Sequence, residues 1–310
     1  MIRRPIDYLP LFFKGAAMGV ADTVPGVSGG TVAFITGIYE ELIESLAQIG
    51  PARLNDLRER GLRGFWYAIN GHFLLTVFAG LLIALFSVAE LMSWLISHHR
   101  VVLWAFFFGL IAASIPLVLG RVRQWRTGYV VWIALGIGVG LGVTLLGGGQ
   151  TPDALWMVFL AGLIAVSAMV LPGISGSFLL LILGQYEIMV RAAAERDVLT
   201  LAVFAGGAVI GLLSVARVLS KLFRRHHDAT VALLTGFMAG SLNALWPWQA
   251  STEGAQGLPR HLGPMQFEAV TGHSPQWGAA LVFFALGLTL VALVALTERT
   301  ASGHLPADRD

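Results

Sequence analysis

Two stretches decide how this chain is read: VPGVSGGTVAFITGIYEEL at 24–42 and LPGISGSFLLLILGQYEIM at 171–189. Aligned without gaps, they share Pro25/Pro172, Gly26/Gly173, Ser28/Ser175, Gly29/Gly176, Ile35/Ile182, Gly37/Gly184, Tyr39/Tyr186 and Glu40/Glu187. Chance at this composition gives about one or two such pairs, so the chain carries an internal duplication. The match extends outward: FGLIAASIPLVL (108–119) parallels TGFMAGSLNALW (235–246), and FAGLLIALFSVAE (78–90) parallels FAGGAVIGLLSVAR (204–217) with one slip. Each shared stretch breaks a longer apolar region, 11–47 in the first half and 153–190 in the second, because Pro and Gly interrupt a helix. The arms left on either side have about 16 residues, ~24 Å of helix, which is short of a ~30 Å hydrocarbon layer. Two re-entrant hairpins are expected, with tips buried in protein or lining a polar cavity. Pro25, Gly26, Pro172 and Gly173 are the breaks.

Composition places these hairpins in a membrane. Of 310 residues, 12% are charged and 56% hydrophobic, with mean hydropathy +0.75, against about 25% charged in soluble domains. Ordinary spans are predicted at 72–97, 101–120, 129–147, 198–220, 229–247 and 276–297. The expected fold class is an all-α polytopic membrane protein with inverted-topology repeats, each a re-entrant hairpin plus three transmembrane helices. Residues 1–147 form the first repeat, 148–300 the second and 301–310 a tail. A barrel is excluded because the apolar runs are continuous rather than alternating. Three crossings per half is an odd number, so the halves enter the membrane from opposite sides, the plan of secondary transporters.

With the N-terminus inside, every Lys and Arg falls on the cytoplasmic side except Arg100, Arg191, Arg196, Arg217 and Arg260, as the positive-inside rule requires. Both termini are therefore expected in the cytoplasm, and 248–275 is the longest outside loop. The net charge of +2 and pI near 9.2 come from these topology clusters, not from a nucleic-acid surface. MIRRPIDYLPLFFKG lacks a small-residue cleavage site, so no cleavable signal peptide is expected. The absence of cysteine removes disulfides, thiol catalysis and cysteine metal sites.

Chemistry concentrates at the tips. Ser28 and Ser175 are suited to cap the returning arms. The amides and hydroxyls around Gly29, Gly30, Thr31, Gly176 and Ser177 face the bilayer middle, where a helix N-terminus favours a phosphate or carboxylate. Turn and packing residues of broken helices are the plainer account of the same pattern. Asp22 lies just before the first tip, with Met169 as its counterpart; an intramembrane carboxylate is a candidate for coupling to a proton or cation, or a cap for local amides. Glu40 and Glu187 follow the tip serines by about 12 residues, ~18 Å along an unbroken arm. Beside Tyr39 and Tyr186 they read equally as interfacial anchors or ion ligands. Arg217 either snorkels to the surface or meets a phosphate. The histidines lack an H-E-x-x-H spacing and there is no Walker A sequence, so no metal, no cofactor and no catalytic residue is expected.

The segments GAAMGVADTVPGVSGGTVAFITGIYEELI (15–43), SAMVLPGISGSFLLLILGQYE (167–187) and GFMAGSLNALWPW (236–248) together resemble the bacterial PopT family of polyprenyl-phosphate translocases. The resemblance covers nearly the whole chain. It implies movement of undecaprenyl phosphate from the outer to the inner leaflet of the cytoplasmic membrane, so that the lipid carrier is reused in wall and surface-polymer synthesis. Under it, the partner is a polyprenyl phosphate, joined by a coupling proton or cation, and nucleic acid is not involved. Head-group binding then falls to Ser28, Gly29, Gly30, Thr31, Ser175, Gly176 and Ser177, with Arg217 as a further candidate, and coupling to Asp22, Glu40 and Glu187. The residues alone reach as far as a transporter with two anion-friendly tips. One rival is a transporter of a small soluble anion; another, a membrane lipid-phosphate enzyme, lacks nucleophile–base pairs in the apolar runs.

Overall fold

The computed structural model describes residues 4–50, 53–146, 149, 151–152, 154–250 and 260–302. Much of the expected outside loop 248–275, most of the tail 301–310 and Arg3 lie outside the described residues. The first half folds as α1 (Tyr8–Asp22), α2 (Gly29–Ile35), α3 (Tyr39–Ala47), α4 (Leu54–Ala68), α5 (Gly71–His98), α6 (Arg100–Leu119) and α7 (Tyr129–Thr144). The second follows as α8 (Leu155–Val170), α9 (Gly176–Ile182), α10 (Tyr186–Glu195), α11 (Val198–Ser241), α12 (Pro264–Thr271) and α13 (Trp277–Ser302). A two-stranded antiparallel ribbon, β1 (Gln249–Ala250) with β2 (Arg260–His261), precedes α12. The chain is an all-α multi-pass membrane protein: α5, α6, α11 and α13 are long and apolar enough to cross, and large side chains such as Phe86 and Leu281 stay exposed along them, where lipid would cover them.

The predicted spans 198–220 and 229–247 are two helices joined at a kink and numbered together as α11. α11 has 44 residues, ~66 Å if straight, twice what a bilayer needs. It breaks at His226, whose backbone leaves the helical region at φ −140°, ψ 50°, so its limbs run as separate helices, the first long enough to cross and the second, 227–241, shorter. α7 and α8, at 16 residues each, are shorter than a full crossing.

The returning arms depart from expectation. Rather than about 16 residues, each regular piece has seven before a second break, ~10 Å of helix. Gly37 and Gly184 take φ of 73° and 65°, the left-handed conformation that ends a helix and favours glycine. Past that glycine α10 leaves α9 at 107°. Glu40 and Glu187 consequently sit in the first turns of α3 and α10, beyond a bend and not 18 Å up a straight arm. Apolar content continues through ITGIYE and LILGQYE, so hydropathy does not register the turn.

Helix pairs close through glycine. A Cβ added at Gly15 would stand 2.1 Å from the Val77 carbonyl oxygen, and one at Gly80 2.1 Å from that of Phe12, which seats α1 on α5. The equivalent positions repeat this: Gly162 meets the Phe204 carbonyl at 2.3 Å and Gly207 meets that of Phe159 at 2.0 Å, seating α8 on the first limb of α11. The remaining helices pair across the halves. Gly109 and Gly287 bring α6 against α13, while Gly136 and Gly236 bring α7 against the second limb of α11. Such close approach gives packing and backbone contact where lipid provides no hydrophobic drive between helices. At the centre Phe34, Tyr39, Phe73, Ile111, Leu234, Met238 and Leu245 are fully buried.

Candidate functional site

The two tips meet. Ser28 Oγ donates to the carbonyl oxygens of Met169 (2.9 Å) and Leu171 (3.2 Å) and accepts from the Gly30 amide (3.1 Å). Thr31 Oγ1 accepts from the Gly173 amide at 2.9 Å. The first tip therefore pairs the backbone of the second, which buried irregular backbone in an apolar body requires. Gly26 and Gly173 take φ of 91° and 88°, which lets the chain turn after each proline. At Gly30 a Cβ would lie 2.5 Å from the Val170 carbonyl oxygen, and at Gly176 2.8 Å from that of Ala165. Ser175 and Ser177 pair through their hydroxyls at 2.9 Å.

α1 brackets α2 with opposite charges. The Gly29 amide donates to Asp22 Oδ1 at 2.6 Å, and Lys14 Nζ donates to the Thr36 carbonyl oxygen past the other end. An anion at the N-terminus and a cation at the C-terminus both match the helix dipole. Their counterparts by the shared alignment are Met169 and Ala161, so the second hairpin has no such bracket. The asymmetry is visible in burial: every residue of α2 is buried, whereas only Gly176 is in α9.

Of the residues expected from sequence, Asp22, Ser28, Gly29, Gly30 and Thr31 come together with the second tip. Ser175, Gly176 and Ser177 sit at the start of α9 on that tip. Glu40 lies away from it, with Oε1 3.2 Å from Nε2 of His227, and Glu187 is exposed on α10. Arg217 is also elsewhere: its guanidinium donates to the Ile49 carbonyl oxygen at 2.6 Å and packs on Gly50 after α3, where the surface-snorkelling alternative would put it.

Sequence reasoning missed a cavity of about 120 Å³ beside the tips. Pro25, Gly26, Phe178, Trp104, Asn243 and His261 are among the residues lining it. Asn243 Nδ2 donates to Thr144 Oγ1 at 2.8 Å, Gln249 Nε2 to the Ala244 carbonyl oxygen at 3.0 Å, and Arg100 reaches Gln249 Oε1 at 3.4 Å. Its signal was an amide residue within the apolar run GFMAGSLNALWPW, where an unpaired polar side chain is costly. The cavity borders the first Pro-Gly tip and Phe178 of α9, and its few convergent polar side chains in a largely apolar lining are the pattern of a small-ligand site.

Comparisons with known proteins show which family the chain belongs to. A "Polyprenyl-phosphate transporter" of Vibrio cholerae serotype O1 is 42% identical over 97% of this chain and 99% of its own length. A second protein of that name, from Staphylococcus aureus, is 31% identical over 92% of this chain and 96% of its own. No solved structure matches. The model of the VCA0040-like family, described as undecaprenyl phosphate translocase-like, matches residues 18–258, and the chain belongs to that family.

Proposed function

We propose that this chain translocates polyprenyl phosphate, of which undecaprenyl phosphate is the bacterial carrier, from the outer to the inner leaflet of the cytoplasmic membrane for reuse. The observation that carries the reading is the meeting of two Pro-Gly tips inside an apolar all-helical body, beside a cavity with a few polar side chains, in a chain whose relatives over nearly its whole length are polyprenyl-phosphate transporters by name. Crossing hydrocarbon is costly for the phosphate and not for the tail, so the protein has to enclose the head group alone.

Head-group binding is assigned to the tips: Ser28, Gly29, Gly30, Thr31, Ser175, Gly176 and Ser177. The hydroxyls of Ser28, Thr31, Ser175 and Ser177 and the Gly30 amide are engaged within and between the tips, and an arriving phosphate would replace those bonds with charge-assisted ones. At Gly29 the amide already holds the Asp22 carboxylate. Two anions cannot share it, so Asp22 releases the amide on taking a proton, which couples head-group entry to protonation. Glu40 and Glu187 lie off this site and their part in coupling has less support.

Inverted topology is supported by the repeated order of helices, by glycine contacts recurring at equivalent positions in both halves, and by the odd number of crossings per half. The basic residues then place both termini in the cytoplasm. The role is transport rather than catalysis. Purified protein in vesicles should speed the flipping of a fluorescent polyprenyl phosphate, with the lipid phosphate recovered intact and excess inorganic phosphate competing weakly. Flipping no faster than in protein-free vesicles would overturn the reading; strong competition by inorganic phosphate would transfer it to a soluble anion.

A further inference from the structure

Another opening lies at the break in α11. It is a cleft of about 710 Å³ lined by Arg123, Arg126 and Tyr129 from the α6–α7 connection and the start of α7, by Trp132, and by residues of α11 from Leu222 to Leu233 that include Arg225. Three arginines therefore border one space, with Tyr129, Trp132, Leu222 and Leu233 as its apolar and aromatic wall and Gln124, His226, His227, Asp228 and Thr230 as its polar one. The one carboxylate in it, Asp228, is spent: its oxygens accept from the Arg123 amide (3.0 Å) and the Gln124 amide (3.1 Å), and Oδ1 stands 3.0 Å from His227 Nδ1. His227 is held in turn against Glu40, while Arg123, Arg126 and Arg225 are exposed and no ion pair to them occurs among the described residues. Arg is the side chain suited to a planar, two-point grip on phosphate oxygens.

The duplication gives this cleft a counterpart. By the alignment that pairs 108–119 with 235–246, the α11 break at His226 corresponds to the α5–α6 junction at His99, and the connection after α6 corresponds to the one after the second limb of α11. That equivalent junction holds Arg100, Gln249 and His261 around the cavity beside the tips. Each half thus contributes a helix break to one opening and a connection to the other, and the two openings lie at opposite faces if the halves are inverted.

We infer that the Arg123–Arg126–Arg225 cleft is a second binding site for a lipid phosphate monoester, the station at which the head group is held on the inner face after leaving the tips. It rests on the proposed translocation only for its place in the sequence of events; as a binding site it stands on its own geometry. A dianionic head would sit among the guanidinium groups and the first isoprene units against Trp132, Leu222 and Leu233.

The test is equilibrium binding of farnesyl phosphate to detergent-purified full-length protein, where no transport is needed. The native protein should bind at two sites, tips and cleft; Arg123→Gln/Arg126→Gln/Arg225→Gln should weaken the cleft component at least about ten-fold and leave the tip component, and Arg123→Lys/Arg126→Lys/Arg225→Lys, which keeps charge and insertion but loses the two-point grip, should lie between. Arg58→Gln/Arg60→Gln/Arg63→Gln removes equal charge from α4, outside the cleft, and should bind as the native chain does. Farnesol should not compete. Unchanged binding in the first variant, equal loss in the α4 variant, or inorganic phosphate binding as tightly as farnesyl phosphate would each overturn the inference. A native protein that binds through the cleft and yet fails to flip lipid would sink the translocase reading and leave this one standing.

Discussion

Asp22 is the residue on which structure and mechanism converge. Its Oδ1 holds the Gly29 amide at 2.6 Å, so the capping alternative visible in sequence is realised, and that amide is also one the proposed phosphate needs. Replacement separates the two roles. Asp22→Ala leaves the amide unpaired in a partly buried place, at a cost of about 1–3 kcal/mol; Asp22→Asn keeps an acceptor oxygen without a titrating group. The expected outcome is a lower melting temperature and slower flipping for Ala, against near-native melting for Asn with slowed flipping that no longer responds to pH. Asn flipping with native rate and pH response would leave Asp22 a cap and nothing more. The part of Lys14 was not legible: in sequence it only interrupts an apolar run, and its partner, the Thr36 carbonyl, lies across the hairpin.

At the scale of elements, length and hydropathy were enough for the long apolar helices α5, α6 and α13 and the first limb of α11, because a bilayer fixes the number of residues a crossing needs. They were blind wherever geometry depends on one backbone angle, as at Gly37 and Gly184, or on amphipathic character, as in the arginine-rich α4. Partner choice was equally hidden, since many glycines look alike in sequence while only some face a neighbouring backbone. Gly236 would place a Cβ 2.3 Å from the Ile133 carbonyl oxygen and Gly109 one 2.2 Å from that of Phe284, whereas Gly138, on α7 between close-packed glycines, has nothing within 4 Å. Gly236→Val and Gly109→Val should each destabilise by about 1–3 kcal/mol or more and shift thermal unfolding in detergent down. Gly138→Val should be near neutral. Equal behaviour of all three would mean that the crossed helix pairs do not form as described.

Across the whole molecule, duplication was readable because identity persists at the tips, but the sequence did not reveal that the two copies differ in how firmly each hairpin is held. Phe34 is 0% exposed and its counterpart Leu181 43%; Tyr39 is 0% and Tyr186 40%. The physical difference is the bracket on α2. Seven-residue helices are marginal alone, and a matched charge at a helix end contributes about 0.3–1 kcal/mol, up to ~2 where partly buried; α2 has one at each end and α9 has neither. The first hairpin is then the more firmly held of the two. Hydrogen exchange in nanodiscs reads that difference, with the amides of 176–182 expected to exchange faster than those of 29–35. Lys14→Ala with Asp22→Met gives the first hairpin the residues of the second, Ala161 and Met169. In that variant exchange across 29–35 should rise by about three- to thirty-fold, as the summed end effects allow, while 176–182 stays as it was. If 29–35 remains as protected as before, burial alone holds the first hairpin, and the difference in mobility between the halves must come from their packing rather than from the two charges on α1.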